Sequence, residues 1–470
     1  MHKLITKYAT AAHLALLAVS PLVLFPFFSP EAVANAIFYL SLYCLLWVFF
    51  EPSRRRGEYL HNSRRRAALE IFSDPILWLM LLFAILAGIR WLNGGIALAF
   101  DVENFVWVAK EPPVSILPAS AEGHGKIEFA AALAAVVIVQ GLLHAIGKSA
   151  RVAFLFIGSF VAAIAAIIAV KTIDFNNAKL LASLGQSFLA PSFVGTIFGL
   201  WMLCAITALT GAIADEWKGF GFPFAFAIAG SALGLLAFAP PAIITVFLIM
   251  AIIAIFLFLG WVASEKRALG ALKFLGIISI SIAFSVLLAL SILPDGLLAA
   301  KIEPFEKLEI FPAGFLQERQ VLAKIASKVW SENLWIGTGL GTFSLDVRFN
   351  AQPADWDILC TVRENAMNGW LNLAAERGLV GIVAFAIPLI MLVVAFIRRI
   401  PGTIRKTVFM PGCYLAFAAL ALIAAVTFFD TSLFSSSGVM SMSAVLALGV
   451  ASIPPKRKET KEESSTEEKK

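Results

Sequence analysis

The residues best suited to chemistry lie between Arg319 and Gly381. The interval holds Arg319, then Asn333-Leu-Trp-Ile-Gly337-Thr-Gly339-Leu-Gly341-Thr-Phe343, then Met367-Asn368-Gly-Trp-Leu371-Asn372-Leu-Ala-Ala-Glu376-Arg-Gly378-Leu-Val-Gly381. An arginine offers a planar, permanently charged fork that matches phosphate or carboxylate oxygens two at a time. Side-chain amides present both donor and acceptor, which suits hydroxyl-rich ligands. Glycines at alternate positions let backbone approach a ligand or a neighbouring element closely. A dinucleotide-binding fingerprint is a poor reading of Gly337-x-Gly339-x-Gly341, because no strand precedes it and no acidic residue follows in a βαβ setting.

Each feature has a plainer reading beside the chemical one. Residues 315–331 have helical periodicity, with Phe315, Leu322, Ile325 and Val329 on one stripe and Lys324 and Lys328 on another. Arg319 aligns with Ala323, Ala326 and Trp330. It is either packed inward to meet an anion or reaches out to water and headgroups. The glycine run is either a phosphate cradle or a tight turn packed on the rest of the chain. Residues 365–378 also fit a helix, with Asn365, Asn368, Asn372 and Glu376 on one polar stripe that faces either a ligand or water. Gly378 is expected to end that helix.

The rest of the chain must hold these residues in place, and it is oily. Of 470 residues, 60% are hydrophobic and 14% charged, and the mean hydropathy is +0.87. Soluble domains run nearer 45–50% apolar and about 25% charged. Lipid must therefore solvate this protein, and spans of helix are the structures that satisfy their own backbone there. Apolar runs predict about twelve spans, near 9–28, 33–50, 75–92, 128–147, 152–170, 193–214, 222–239, 242–263, 272–293, 379–397, 408–428 and 437–453. Pro240-Pro241 separates the seventh and eighth, as a tight hairpin would.

Basic residues set the expected orientation. Arg54, Arg55, Arg56, Arg64, Arg65, Arg66, Lys148, Arg151, Lys266, Arg267, Arg398, Arg399, Arg405 and Lys406 fall in alternate short loops. The positive-inside rule puts those loops and both termini in the cytoplasm. The net charge of +6 matches anionic headgroups at that surface and calls for no nucleic-acid partner. The predicted organisation is an all-α polytopic membrane protein. It has a bundle of spans one to nine over 1–293, a large, partly helical external loop over 294–378, and spans ten to twelve over 379–453. A tail over 454–470 has the composition of a disordered segment. Residues 93–127 and 171–192 form shorter external segments, the first with the mixed aromatic and charged pattern of an interfacial stretch. Cys44, Cys204 and Cys413 lie within predicted spans and Cys360 stands outside, so no internal disulfide is expected. No residue spacing suggests a metal site, and no cofactor is called for.

The motifs from Arg319 to Gly381 resemble those of the O-antigen ligase and polymerase superfamily, bacterial membrane glycosyltransferases. Members show an arginine, a glycine-alternating stretch opening with Asn and closing with Phe, a His-Asn-x-x-Leu segment, and Glu-x-Gly-x-x-Gly entering the next span. The matching positions here are Arg319, then Asn333, Gly337, Gly339, Gly341 and Phe343, then Asn368, Leu371, Glu376, Gly378 and Gly381. Met367 stands where the family has histidine, no histidine follows His144, and Leu334 replaces a proline.

The resemblance implies transfer of a glycan from a polyprenyl diphosphate carrier to a lipid or glycan acceptor hydroxyl on the periplasmic face of the bacterial inner membrane. Arg319 is then the residue that stabilises the leaving diphosphate. Arg348 and Arg363 are further cations in the same loop, and Asn368, Asn372 and Glu376 are substrate-binding candidates. With the histidine gone, Glu364 is the first choice to accept the acceptor proton, ahead of Glu376, Asp355 and Asp357. A lipid-linked glycan transporter and a non-catalytic cell-envelope assembly protein are the alternatives.

Overall fold

The computed structural model describes residues 2–24, 26–50, 69, 71–101, 106–110, 112–121, 124–173, 191–214, 221–264, 268–293, 295–307, 314–359, 365–399, 418 and 436–452. The helices in chain order are α1 (His2–Leu24), α2 (Pro30–Phe50), α3 (Pro75–Leu92), α4 (His124–Gln140), α5 (Lys148–Thr172), α6 (Pro191–Ala214), α7 (Gly221–Phe238), α8 (Pro241–Ser264), α9 (Ala268–Ile292), α10 (Asp295–Glu306), α11 (Phe315–Glu332), α12 (Phe343–Asn350), α13 (Pro353–Leu359), α14 (Gly369–Arg399) and α15 (Ser436–Ser452). A π-helical turn, Gly141–Ala145, extends α4. The chain is thus an all-α, polytopic membrane protein. Nine helical stretches among the described residues are long and apolar enough to cross a membrane, and Tyr8–Leu24 and Gly438–Ala451 are shorter apolar helices. The expected span at 408–428, apart from Ala418, the basic loop at 51–68 and the tail from 453 lie outside the described residues.

Local chemistry explains where the spans begin. Asp74 accepts a hydrogen bond from the Ile76 amide at 2.9 Å, and Pro75 opens α3 with the backbone angle a first turn needs. The break expected at Pro240-Pro241 is there: α7 ends at Phe238, and the Pro240 carbonyl receives the amides of Ile243 and Ile244 as α8 begins. The two helices do not close into a packed hairpin, because α7 lies against α5, α6 and α9 instead.

The helices pack around α4, α5, α6 and α7. In that core α5 lies against α1, α6 and α7, while α4 lies against α2, α3 and α15. Small residues make close approach possible, as where Gly230 meets the backbone of Ala163. The outer faces of α8 and α9 expose Ile249, Ile252, Phe256, Leu272, Ile282, Leu287 and Leu290, as lipid-facing helices do.

A second, smaller apolar core sits away from the bundle. Val321, Leu322, Ile325, Ala326, Val329, Phe343, Val347, Leu359, Ala366 and Ala375 form it. They come from α11, α12, α13, the turn before α14, and the first part of α14. Lys324 and Lys328 are exposed on α11, whereas Leu322, Ile325 and Val329 are buried.

The 93–127 segment carries short strands: β1 (Gly94–Ile96) paired in parallel with β4 (Ser120–Ala121), and β2 (Leu98–Asp101) paired antiparallel with β3 (Val106–Ala109). Asn93 anchors it: its side-chain amide donates to the carbonyls of Val114 and Leu117, and its Oδ1 receives the Val114 amide.

Candidate functional site

The glycine run and the Glu-Arg-Gly segment, separated in sequence, build one unit. The Thr338 amide donates to the Ala375 carbonyl and the Gly339 amide to the Glu376 carbonyl, each at 3.0 Å. In return Leu379 N donates to Leu334 O at 2.8 Å and Val380 N to Trp335 O at 3.0 Å. Glycine is required at the crossing. A Cβ at Gly337 (φ +70°) would stand 2.4 Å from the Glu376 carbonyl carbon, and one at Gly378 (φ +59°) 2.5 Å from that of Trp335. Gly378 also has ψ −166°, a region essentially closed to other residues. It bends α14 there, so the segment before it is a separate short helix running into the span. Of the two readings of the glycine run, the tight packed turn is the one these contacts describe.

A third set of contacts comes from the 93–127 segment. Leu340 N donates to Ala119 O at 3.1 Å, and Ala121 N to Leu340 O at 2.7 Å. His124, at the start of α4, lies against Gly341, where a Cβ would sit 2.6 Å from its ring.

Glu376 is buried beneath the turn, 5% exposed. Its Oε1 accepts from the Phe343 amide at 3.4 Å and it also receives the Gly341 amide. The carboxyl therefore occupies the N-terminal end of α12, where unpaired amides favour an acceptor. Its role in the structure is to tie the glycine turn to α14.

Beside it, Asp346 of α12 is 9% exposed. Thr338 Oγ1 lies 2.8 Å from Asp346 Oδ2 and 2.8 Å from Thr342 Oγ1, and Thr342 Oγ1 donates to the Gly339 carbonyl at 2.7 Å. Burial pushes the Asp346 carboxyl up to about 6, against the lowering effect of the Thr338 and Thr342 hydroxyls.

Below the turn lies an ion cluster joining three spans. Arg377 Nη2 stands 3.0 Å from Glu128 Oε1, and Arg90 Nη1 is 3.4 Å from both Glu128 oxygens. Arg90, Glu128 and Arg377 are 1%, 2% and 4% exposed. One carboxylate thus holds two guanidinium groups. Arg90 Nε and Nη2 and Arg377 Nη1 find no hydrogen-bond partner among the described residues. Glu376 interacts electrostatically with both arginines. Arg90 is near the end of α3 and Glu128 near the start of α4, so the cluster lies at one end of the spans.

The expected site residues fall in several places. Arg319, in the early part of α11, is half-buried, and that burial lowers its proton affinity below the ordinary value for arginine. Arg348 is exposed on α12. Asn368 caps the helix that follows: its Oδ1 accepts from the amides of Trp370 and Leu371 at 3.1 and 3.2 Å. Asn372 Oδ1 accepts from Ala366 N and Asn365 Oδ1 from Met367 N. The expected helix over 365–378 therefore starts later, at Gly369, and its first amides shape the entry turn. Met367, at the family's histidine position, is partly buried and has φ +47°, the one positive value among described non-glycine residues. Asp355 Oδ2 accepts from Gln352 N at 2.8 Å, and Asp357 is exposed. Glu364, Arg363 and Cys360 lie outside the described residues. Cys44 and Cys204 are free and buried. No group of three metal-ligating side chains occurs among the described residues.

Sequence reasoning missed Asp346, Glu128 and Arg377. Glu128 had a usable signal: it is a lone carboxylate at the head of an apolar run, and an ionisable residue inside a span needs a partner. Asp346 had none: its hydroxyl partners Thr338 and Thr342 are local, but its burial comes from the packing of α12 against α11 and α14. No known family model matches the chain, and no curated protein matches it.

Proposed function

We propose that this protein is a membrane glycosyltransferase that moves a glycan from a polyprenyl diphosphate carrier to an acceptor hydroxyl outside the cytoplasmic membrane. One observation carries the reading. The two sequence segments that resemble the O-antigen ligase and polymerase superfamily meet in space, through the hydrogen bonds from Thr338, Gly339, Leu379 and Val380. They meet over a buried carboxylate and beside α11, which carries Arg319. In this reading the chain lies in the bacterial inner membrane with both termini in the cytoplasm, and the unit from α11 to Gly378 faces the periplasm.

The donor brings its own driving force, so no nucleotide is needed. As the bond from sugar to diphosphate breaks, negative charge builds on the leaving oxygen. Arg319 stabilises that charge, being a permanent cation in a partly dry setting where such contacts strengthen. Arg348 and Arg363 add to the positive field that draws the carrier headgroup. The acceptor hydroxyl must lose a proton to a base as it attacks.

The buried Arg90–Glu128–Arg377 cluster supports a second reading, a lipid-linked glycan transporter, because intramembrane ions often mark a transport path. Transport sites lie near the bilayer midplane, whereas this cluster sits at the span ends, under the glycine turn. That position favours a scaffold for surface chemistry.

The test is transfer by full-length protein in lipid, with an undecaprenyl-diphosphate-linked oligosaccharide as donor and lipid A–core lipopolysaccharide as acceptor. Arg319→Ala is expected to cut the rate about a hundredfold, with normal insertion. Lys324→Ala, on the exposed face of the same helix, is expected to leave it within twofold or so of wild type. Equal small effects of both changes would remove Arg319 from the reaction.

A further inference from the structure

We propose that Asp346 accepts the proton of the attacking acceptor hydroxyl, held for that role by the hydroxyls of Thr338 and Thr342. This rests on the transferase reading and adds to it the group that reading leaves open.

The geometry carries it. Asp346 lies beside the glycine turn, and its Oδ2 receives the Thr338 hydroxyl. Thr338 Oγ1 is 2.8 Å from Oδ2 and 2.8 Å from Thr342 Oγ1. Thr338 is half-buried, and Asp346 retains 9% exposure, against 5% for Glu376. Glu376 is a poorer choice for the same role because two backbone amides of the α12 end already occupy it. A hydroxyl pair can serve either charge state: Thr338 donates to the ionised carboxylate, and accepts once the carboxyl is protonated. No ion pair joins Asp346 to a cation among the described residues, so its charge is not quenched. Burial places its titration near neutral pH, about 6, where a base works best.

The step balances. The acceptor oxygen forms its bond to the anomeric carbon while its proton passes to an Asp346 oxygen. The bond from that carbon to the diphosphate oxygen breaks, and the electron pair leaves on the diphosphate. Asp346 then returns the proton to water, and the cycle is complete without redox change or metal.

Other titratable groups face this neighbourhood and must be told apart from it. Glu376 and Arg377 lie beneath on α14, His124 of α4 lies against Gly341, and Arg348 is exposed on Asp346's own helix.

The experiment measures the rate of transfer against pH from 4.5 to 8.5, using the donor and acceptor named above and full-length protein in lipid. Wild type is expected to lose activity on the acidic side with a midpoint near the Asp346 value of about 6. Asp346→Asn is expected to lower the rate about 10²–10⁴-fold and to abolish that acidic limb. Asp346→Glu should restore part of the rate. Thr338→Val removes a donor that favours the charged carboxylate, so the limb should move to higher pH. Hydrogen-exchange protection of the glycine turn, unchanged in Asp346→Asn, separates lost chemistry from lost fold. Asp346→Asn at the wild-type rate, or an acidic limb that persists there and vanishes in His124→Gln, overturns Asp346 while leaving the transferase reading intact. A wild-type protein that binds the donor but forms no product overturns that reading and this one with it.

Discussion

Replacing Gly378 with alanine should open the crossing between the two motif segments without disturbing the bundle. The backbone there has φ +59° and ψ −166°. Holding a residue with a side chain in such a region costs about 1–3 kcal/mol. The new Cβ would also stand 2.5 Å from Trp335 C and O and 2.6 Å from Gly337 N. Those atoms are backbone, so no rotamer change relieves the overlap. The segments must separate, which sacrifices the hydrogen bonds from Leu379 and Val380 to Leu334 and Trp335, each contributing about 1 kcal/mol. The sum is roughly 3–5 kcal/mol, a large part of the 5–15 kcal/mol of an ordinary domain. Spent locally, about 4 kcal/mol raises the open population near a thousandfold. Hydrogen exchange with mass analysis on the lipid-reconstituted protein reads this directly. Amides over 334–341 and 375–380 should exchange faster by two to three orders of magnitude, roughly, while α5, α6 and α7 stay protected. Gly296→Ala is the control, since a Cβ there meets nothing within 4 Å. Wild-type exchange across both segments in Gly378→Ala would refute the claim that the crossing requires glycine.

Three further outcomes follow from the geometry. Glu128→Gln leaves Arg90 and Arg377 buried around a neutral amide, so thermal stability should fall by about 3–5 kcal/mol; replacing all three by apolar residues of similar size should recover most of it. Asp346 has a raised folded pKa, about 6 against 3.8. Its burial therefore costs nothing below the unfolded value, and the cost grows as pH rises through that window to about 3 kcal/mol above it. Denaturation midpoints of Asp346→Asn should thus gain on wild type from pH 4 to pH 6 and stay level beyond; a pH-independent difference would show that the carboxyl titrates normally. In a chain cleared of its own four cysteines, a cysteine at Ser331 should react with an impermeant external reagent in intact cells and one at Ser63 should not, and the reverse pattern would invert the topology.

The spans were legible because lipid imposes a simple demand: long apolar runs, broken by proline and flanked by arginine. The starts of α3 at Pro75 and α8 at Pro241 follow from proline's geometry alone. The glycine turn was legible as a place of close approach, though its partner was not, since nothing local in 333–343 names Ala375 or Glu376. The amide stripe over 365–376 misled for a specific reason. Helical spacing treated Asn368 as a side chain on a face, whereas asparagine competes for nearby backbone amides and ends up capping the helix. The ion cluster was half legible: Arg90 and Glu128 each stand out in apolar surroundings, but their pairing across α3, α4 and α14 is a product of packing. Strands in the 93–127 segment escaped because two- to four-residue strands leave almost no periodicity to read.

The crossing at Gly337 and Gly378 has a consequence for how such a protein can diversify. It fastens the two ends of an excursion that runs out through α12 and α13 and back to Asn368. Because the ends are already joined, lengthening the excursion costs little: each doubling of a flexible insert adds only about 0.6 kcal/mol. The junction between α12 and α13, Ala351-Gln352, lies away from the clasp and is the natural graft point. New loops could be tried there while the crossing, the ion cluster and the membrane bundle stay as they are.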